Sequence, residues 1–184
     1  QNGAFNSNAL LTDLLTEDLY GSDTFKSSPL RGLDCPPISD GASAMIIASE
    51  EKAFEYTDNP IWIEGIDHRI ESSNLGSRDL ATSPSIESSV QHLQIENVNF
   101  DVAELHTQFS HELPFLRKLL NLTNVPTNLS GGPLVGNVMM CAGLDATGKT
   151  FEAMVNDQLA HGLAHATSGP CLQHNMVVHL ERHS

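Results

Sequence analysis

His106 closes the stretch FDVAELH (Phe100 to His106), two positions after Glu104. On a strand both side chains share one face. A histidine at a strand's carboxyl end stands where ligands gather in open α/β sheets. It is therefore either a functional histidine or one satisfied by a backbone carbonyl. A second candidate is the run NLSGGPLVGNVMMCAGL (Asn128 to Leu144), in which a polar turn with Ser130, Gly131 and Gly132 enters an apolar segment. Glycine lets the backbone turn with positive φ and approach a neighbour closely. A helix starting just after such a turn aims its free N–H groups back at it, which suits a carbonyl, carboxylate or phosphate oxygen. An ordinary capped loop fits the same residues.

Cys171, in SGPCLQHN, stands beside Gln173 and His174 in a turn between strands. A thiol near a histidine and loop N–H groups is either an activated thiolate or an inert surface cysteine. Cys141 reads as an apolar helix filler, Cys35 as a packed loop residue, and His111 as a surface residue. His161 and His165 are four apart, a zinc-binding spacing on a helix. LAHGLAHA alternates like a strand, however, and offers no third ligand at a usual spacing, so no metal site is assigned. Gly143 to Thr150 (GLDATGKT) matches the phosphate-loop pattern G-x-x-x-x-G-K-T, in which Lys149 would meet phosphates and Thr150 magnesium. Only 34 residues follow, Phe151 to Ser184, too few for the βα units that hold the magnesium. A nucleotide binder therefore stays an alternative.

Composition narrows the partners. The chain has 184 residues, 40% apolar and 17% charged, enough to bury a core. Nine basic against 23 acidic residues give a net charge of −14, which repels nucleic acid and anionic membrane. Neither is expected as a partner. Three scattered cysteines make neither a disulfide framework nor a zinc knuckle, and no apolar run approaches the ~20 residues a membrane helix needs. A cytoplasmic location is expected. The chain opens on Gln1 and is expected to be the later part of a longer protein.

The elements that must position these residues alternate. Residues 1–40 read as an extended, proline-punctuated approach with a short helix around Leu10–Leu19. Strands are expected at Ser43–Ser49, a continuous apolar run, and at Pro60–Ile70, Phe100–His106, Leu159–Ala166 and Asn175–Glu181. Helices are expected over residues 85–95, over the face of Phe109, Leu113, Leu116 and Leu120, and over Val138–Leu159. The class is α/β, with 1–184 as one domain.

Four stretches, in order, resemble the C-terminal half of the thiolase superfamily, in its sterol-carrier-type and lipid-transfer branch. They are SPLRGLDCPPISDGASAMIIASEEKA (Ser28 to Ala53), DVAELHTQFSHEL (Asp101 to Leu113), NLSGGPLVGNVMMCAGL and AHATSGPCLQHNMVVHLE (Ala164 to Glu181). The resemblance implies a mixed five-stranded sheet with helices on its faces, and acyl-CoA thioester chemistry in which this half supplies oxyanion holes. His106 matches the family's His/Asn position and would polarise a thioester or enolate oxygen. Asn137-Val138 falls where a Gly-His-Pro motif is expected, so Gly136 matches but the histidine is replaced. Asn can donate a hydrogen bond but cannot take a proton near neutral pH. Cys171 lies near the late Cys-x-Gly motif without its glycine, and Ser130, Gly131 and Gly132 match the substrate loop. No covalent cofactor is implied; the coenzyme A thioester is the substrate. The partners implied are the N-terminal half, a second subunit and a small OB-fold zinc-ribbon protein. The chemistry implied is acyl transfer or a retro-aldol C–C cleavage. A non-catalytic subunit that binds acyl-CoA or a partner is the alternative.

Overall fold

The computed structural model describes every residue except 1, 14, 15, 23, 75 and 184. Helices α1 (Glu17–Ser22) and α2 (Glu50–Tyr56) and the short hairpin β1 (Phe25–Ser27) and β2 (Leu30–Arg31) precede the main body. That body holds strands β3 (Trp62–Ile70), β4 (Val102–Leu105), β5 (His161–Ser168) and β6 (His174–Glu181), with helices α3 (Pro84–Leu93), α4 (Glu112–Leu119) and α5 (Ala142–Asp157). The sheet order is β3-β6-β5-β4. β4 runs parallel to β5, whereas β3–β6 and β5–β6 are antiparallel. The result is the expected mixed α/β sheet.

Alternation along the strands sends side chains to two cores. On one face Ala103, Leu105, Leu163 and Val177 pack with Ile86 of α3 and Leu116 of α4. On the other, Val102, Ala164, Val178 and Leu180 pack with Ala146 and Met154 of α5. The helical spacing of Ile86, Val90 and Leu93 correctly marks α3, and Pro114 falls in the first turn of α4, where its missing N–H costs nothing.

The strand expected at Ser43–Ser49 is not formed: these residues are without regular structure, and Ile46 and Ile47 are exposed. An apolar run becomes a strand only when a neighbouring strand takes its backbone groups, and among the described residues no strand lies beside it. Among the described residues the sheet therefore has four strands rather than five, with β3 on one edge. The other edge, β4, is covered by residues 126–128. Ala103 N–H donates to the Pro126 carbonyl at 3.0 Å and Asn128 N–H to the Ala103 carbonyl at 2.8 Å. The helix expected around Leu10–Leu19 is confined to α1; residues 10–13 are not helical, and Leu14 and Leu15 lie outside the described residues. No helix among the described residues is long and apolar enough to cross a membrane.

The phosphate-loop alternative is corrected by the backbone. Residues 143–150 all lie inside α5, so the segment is helix rather than the loop between strand and helix whose N–H groups converge on a phosphate. Lys149 pairs with Asp145 at 2.7 Å, and the buried Thr150 hydroxyl donates to the Ala146 carbonyl at 2.9 Å.

Candidate active site at the carboxyl end of β4

The ladder between β4 and residues 126–128 continues through a side chain. The Asn128 Oδ1 accepts the Leu105 N–H at 2.6 Å, and its Nδ2 donates to the Leu105 carbonyl at 3.1 Å. A primary amide thus does the work of a strand neighbour. Asn128 adopts φ 53°, a left-handed conformation that asparagine tolerates. Its amide also lies against Gly132, where a Cβ would come within 2.5 Å of Nδ2 and where φ is +61°. Only glycine fits there.

This bracket holds the Ser-Gly-Gly turn over β4. Ser130 donates from its hydroxyl to Glu104 Oε2 at 2.6 Å and from its N–H to Oε1 at 3.0 Å, and Gly132 N–H donates to Ser130 Oγ at 3.1 Å. Burial pushes the Glu104 carboxyl above its usual range, opposed by the two Ser130 donors and the Lys149 charge.

His106 follows at the strand's end, buried. Its Nδ1 lies 3.0 Å from the Thr167 carbonyl and 3.4 Å from the Thr167 N–H, and its Nε2 lies 3.2 Å from Asn137 Oδ1. Neutral, the ring donates to one of these two oxygens at a time. The carbonyl partner expected of a structural histidine is present, and so is a side-chain partner from the loop. Asn137 Oδ1 also accepts the Met139 N–H at 3.1 Å, which fixes the amide and leaves Nδ2 as its donor.

The approach segment clamps both loops. Asn137 N–H donates to the Pro37 carbonyl at 3.0 Å, and Ser39 N–H to the Asn137 carbonyl at 2.9 Å. Asp34 accepts from the Ser110 hydroxyl at 2.6 Å, and these bonds hold its carboxyl below the usual range. Residues 34–39 therefore join the turn after β4 to the loop before α5.

Glu104, His106, Ser130, Gly132, Gly136, Asn137 and Lys149 line one narrow cleft with a free volume of about 20 Å³. That is room for about one water molecule. Cys171 lies apart. It sits exposed in the β5–β6 turn at the same end of the sheet, where Gln108 Nε2 donates to the Gly169 carbonyl at 2.8 Å, and it does not line the cleft. The sequence-predicted His106, Asn137, Ser130 and Gly132 come together, while Gly131 shapes the turn at φ +95° and Cys171 stays outside.

Three participants escaped the sequence reading. Asn128 was visible only as part of a turn, Glu104 only as a neighbour of His106, and Lys149 only in a misleading motif. The hydrogen-bonding capacity of asparagine at a turn was the one signal available for the first.

Behind the cleft lies a second buried polar group. His165 Nε2 meets Asn175 Oδ1 at 3.0 Å, and Asn175 Nδ2 donates to the Leu172 carbonyl and the Ser85 hydroxyl. His165 Nδ1 is buried without a partner among the described residues, and burial lowers this imidazole to about 4.

Family-level sequence models find no match to the chain. It is 30% identical over 115 residues to an acetyl-CoA acetyltransferase of Methanothermobacter thermautotrophicus, covering 60% of this chain and 30% of the relative. It is 35% identical over 106 residues to an acetyl-CoA acetyltransferase of Methanocaldococcus jannaschii, covering 50% and 27%. In structure it is similar to human mitochondrial 3-ketoacyl-CoA thiolase, with TM-score 0.77 and 17% identity over 96% of this chain and 45% of that one. Bacillus anthracis acetyl-CoA acetyltransferase gives TM-score 0.58 and 20% identity over 73% and 34%. The chain thus matches less than half the length of each of these proteins. By sequence and fold together, the chain is similar to thiolase-superfamily proteins, and in particular to the C-terminal half of that fold.

Proposed function

We propose that the chain supplies the oxyanion-binding half of an enzyme acting on acyl-CoA thioesters, by acyl transfer or by retro-aldol C–C cleavage. The observation that carries this reading is the contact of His106 with Asn137 beside the Ser130–Gly132 turn, in a cleft at the carboxyl end of β4. Preorganised donors of this kind act on the oxygen where negative charge develops, usually the largest single catalytic contribution. In this reading Asn137 Nδ2 and the His106 ring meet the thioester or enolate oxygen, and the Ser130–Gly132 turn seats the substrate. Asn137 cannot move a proton, so a proton must be carried by His106 or by a group from outside this chain. That favours a cleavage needing a stabilised enolate over one needing a second histidine base. Cys171, exposed and outside the cleft, is an accessory in this proposal rather than its centre.

Room for one water cannot seat an acyl-CoA, so the proposal includes an N-terminal half that completes the cleft. Its support is α5, which buries Ala146, Thr150 and Met154 on the sheet yet exposes Leu144, Phe151 and Val155 along another face. Ile66 and Ile70 of β3 are exposed as well. Unpartnered apolar surface of this kind marks an interaction site. A homodimer, a small OB-fold zinc-ribbon partner and a cytoplasmic location belong to the same proposal. So does the absence of any bound cofactor besides the coenzyme A substrate.

Turnover of an acyl-CoA thioester by the full-length protein, compared with its His106→Ala variant, tests the reading. A drop of about 100-fold or more is expected for a lost oxyanion donor. Unchanged turnover removes His106 from the mechanism. The non-catalytic alternative rests on the asparagine at position 137. It predicts acyl-CoA binding without turnover.

A further inference from the structure

At the opposite end of the sheet, strand register assembles a second group of chemistry-bearing side chains. His161 starts β5 and pairs directly with Glu181 at the end of β6, while His179 lies two residues before Glu181. Period-two alternation therefore puts all three on one face. His161 Nδ1 and His179 Nε2 are 3.4 Å apart, and Glu181 Oε2 lies 3.7 Å and 3.9 Å from them.

These spacings discriminate between two explanations. A charge-assisted hydrogen bond between imidazole and carboxylate closes to about 2.7–2.9 Å, and neither histidine comes that near Glu181. Ligands around a tetrahedral zinc, on bonds of about 2.0–2.1 Å, stand about 3.3–3.4 Å from one another. The two imidazoles thus meet only at the long limit of a hydrogen bond, and Glu181 stands beyond hydrogen-bond reach of both, near the separation that an ion between the three would impose. Glu64 and His183, 2.7 Å apart, form a neighbouring group that shares Glu181.

The geometry points to a divalent transition-metal site, zinc-class, formed by His161 Nδ1, His179 Nε2 and Glu181. Two imidazoles and a carboxylate suit zinc and leave its fourth position for water or for a ligand from the Glu64–His183 side. Thr167, which touches His106, is six residues along β5 from His161, roughly 20 Å at the rise of a strand. The site is therefore separate from the cleft, and it stands whether or not the acyl-CoA reading does.

Chelator-treated protein titrated with cobalt(II) and zinc(II) tests it. One saturable equivalent, with the intense visible bands of tetrahedral cobalt and a zinc-dependent rise in Tm, is expected. The variant combining His161→Asn and Glu181→Gln, both partly exposed positions, should bind at least tenfold more weakly. Absence of saturable binding, or equal affinity in that variant, overturns the proposal. Should the variant fail to fold, imidazole resonances of the wild-type protein decide. Zinc must shift those of His161 and His179, and resonances that stay put overturn it.

Discussion

Replacing Asn128 removes the amide that ends the β4 ladder. Leu105 is 1% exposed, so its N–H and carbonyl would lose their partners where water cannot reach. A buried polar group left unsatisfied costs about 1–3 kcal/mol, so the two together cost roughly 2–6 kcal/mol. Asn128→Ala adds about 1 kcal/mol because alanine resists the left-handed conformation at φ 53°. Asn128→Gly escapes that part, and the difference between the two variants isolates it. Urea denaturation followed by circular dichroism should show a lower midpoint with an unchanged slope. For a chain of this size Tm should fall by roughly 5–20 °C. Both variants lying within about 0.5 kcal/mol of wild type would refute the reasoning, since surface changes sit in that range. The Ser130–Gly132 turn would then be held by something other than the Asn128 bracket.

Acid should expose the buried His165. Its folded-state value near 4, against 6.5 for a free imidazole, means the unfolded chain takes up a proton that the folded one refuses. Stability is therefore lost as pH falls below 6.5, reaching about 3 kcal/mol below pH 4 at about 1.4 kcal/mol per unit. The loss is read as the difference between the pH–stability profiles of wild type and His165→Gln, and parallel profiles from pH 7 to 4 would contradict it. Glu104 works in the opposite sense, because its raised value stabilises the fold at low pH and that contribution fades as pH rises above 4.5. Glu104→Gln loses one Ser130 bond and should cost about 1–3 kcal/mol at pH 4, with a smaller deficit at pH 8. A deficit that grows with pH would show that the carboxyl is not held above its ordinary value.

Local sequence was enough for the elements whose partners lie close in the chain or whose pattern is strong. The period of Ile86, Val90 and Leu93 gave α3, and the alternation of LAHGLAHA and NMVVHLE gave β5 and β6. His106 at a strand's end, Asn137 in the replaced motif and the Ser-Gly-Gly turn were also visible as residue types in order. Contacts between distant segments decided the rest. Ser43–Ser49 has a strand's composition but no neighbour to bond it, whereas Pro126–Asn128, with no strand-like pattern, covers the β4 edge because Ala103 and Leu105 lie beside it. Gly143–Thr150 reads as a phosphate loop in one dimension, yet its side chains pack a helix onto β5. The spacing of His161 and His165 assigns no metal site, whereas the antiparallel register places His161 with His179 and Glu181. Hydrophobic period and turn chemistry are local properties, written within a few residues. Ladder partners and cleft walls join residues more than a hundred positions apart, such as Trp62 and Glu181, and only the folded chain brings them within bonding distance.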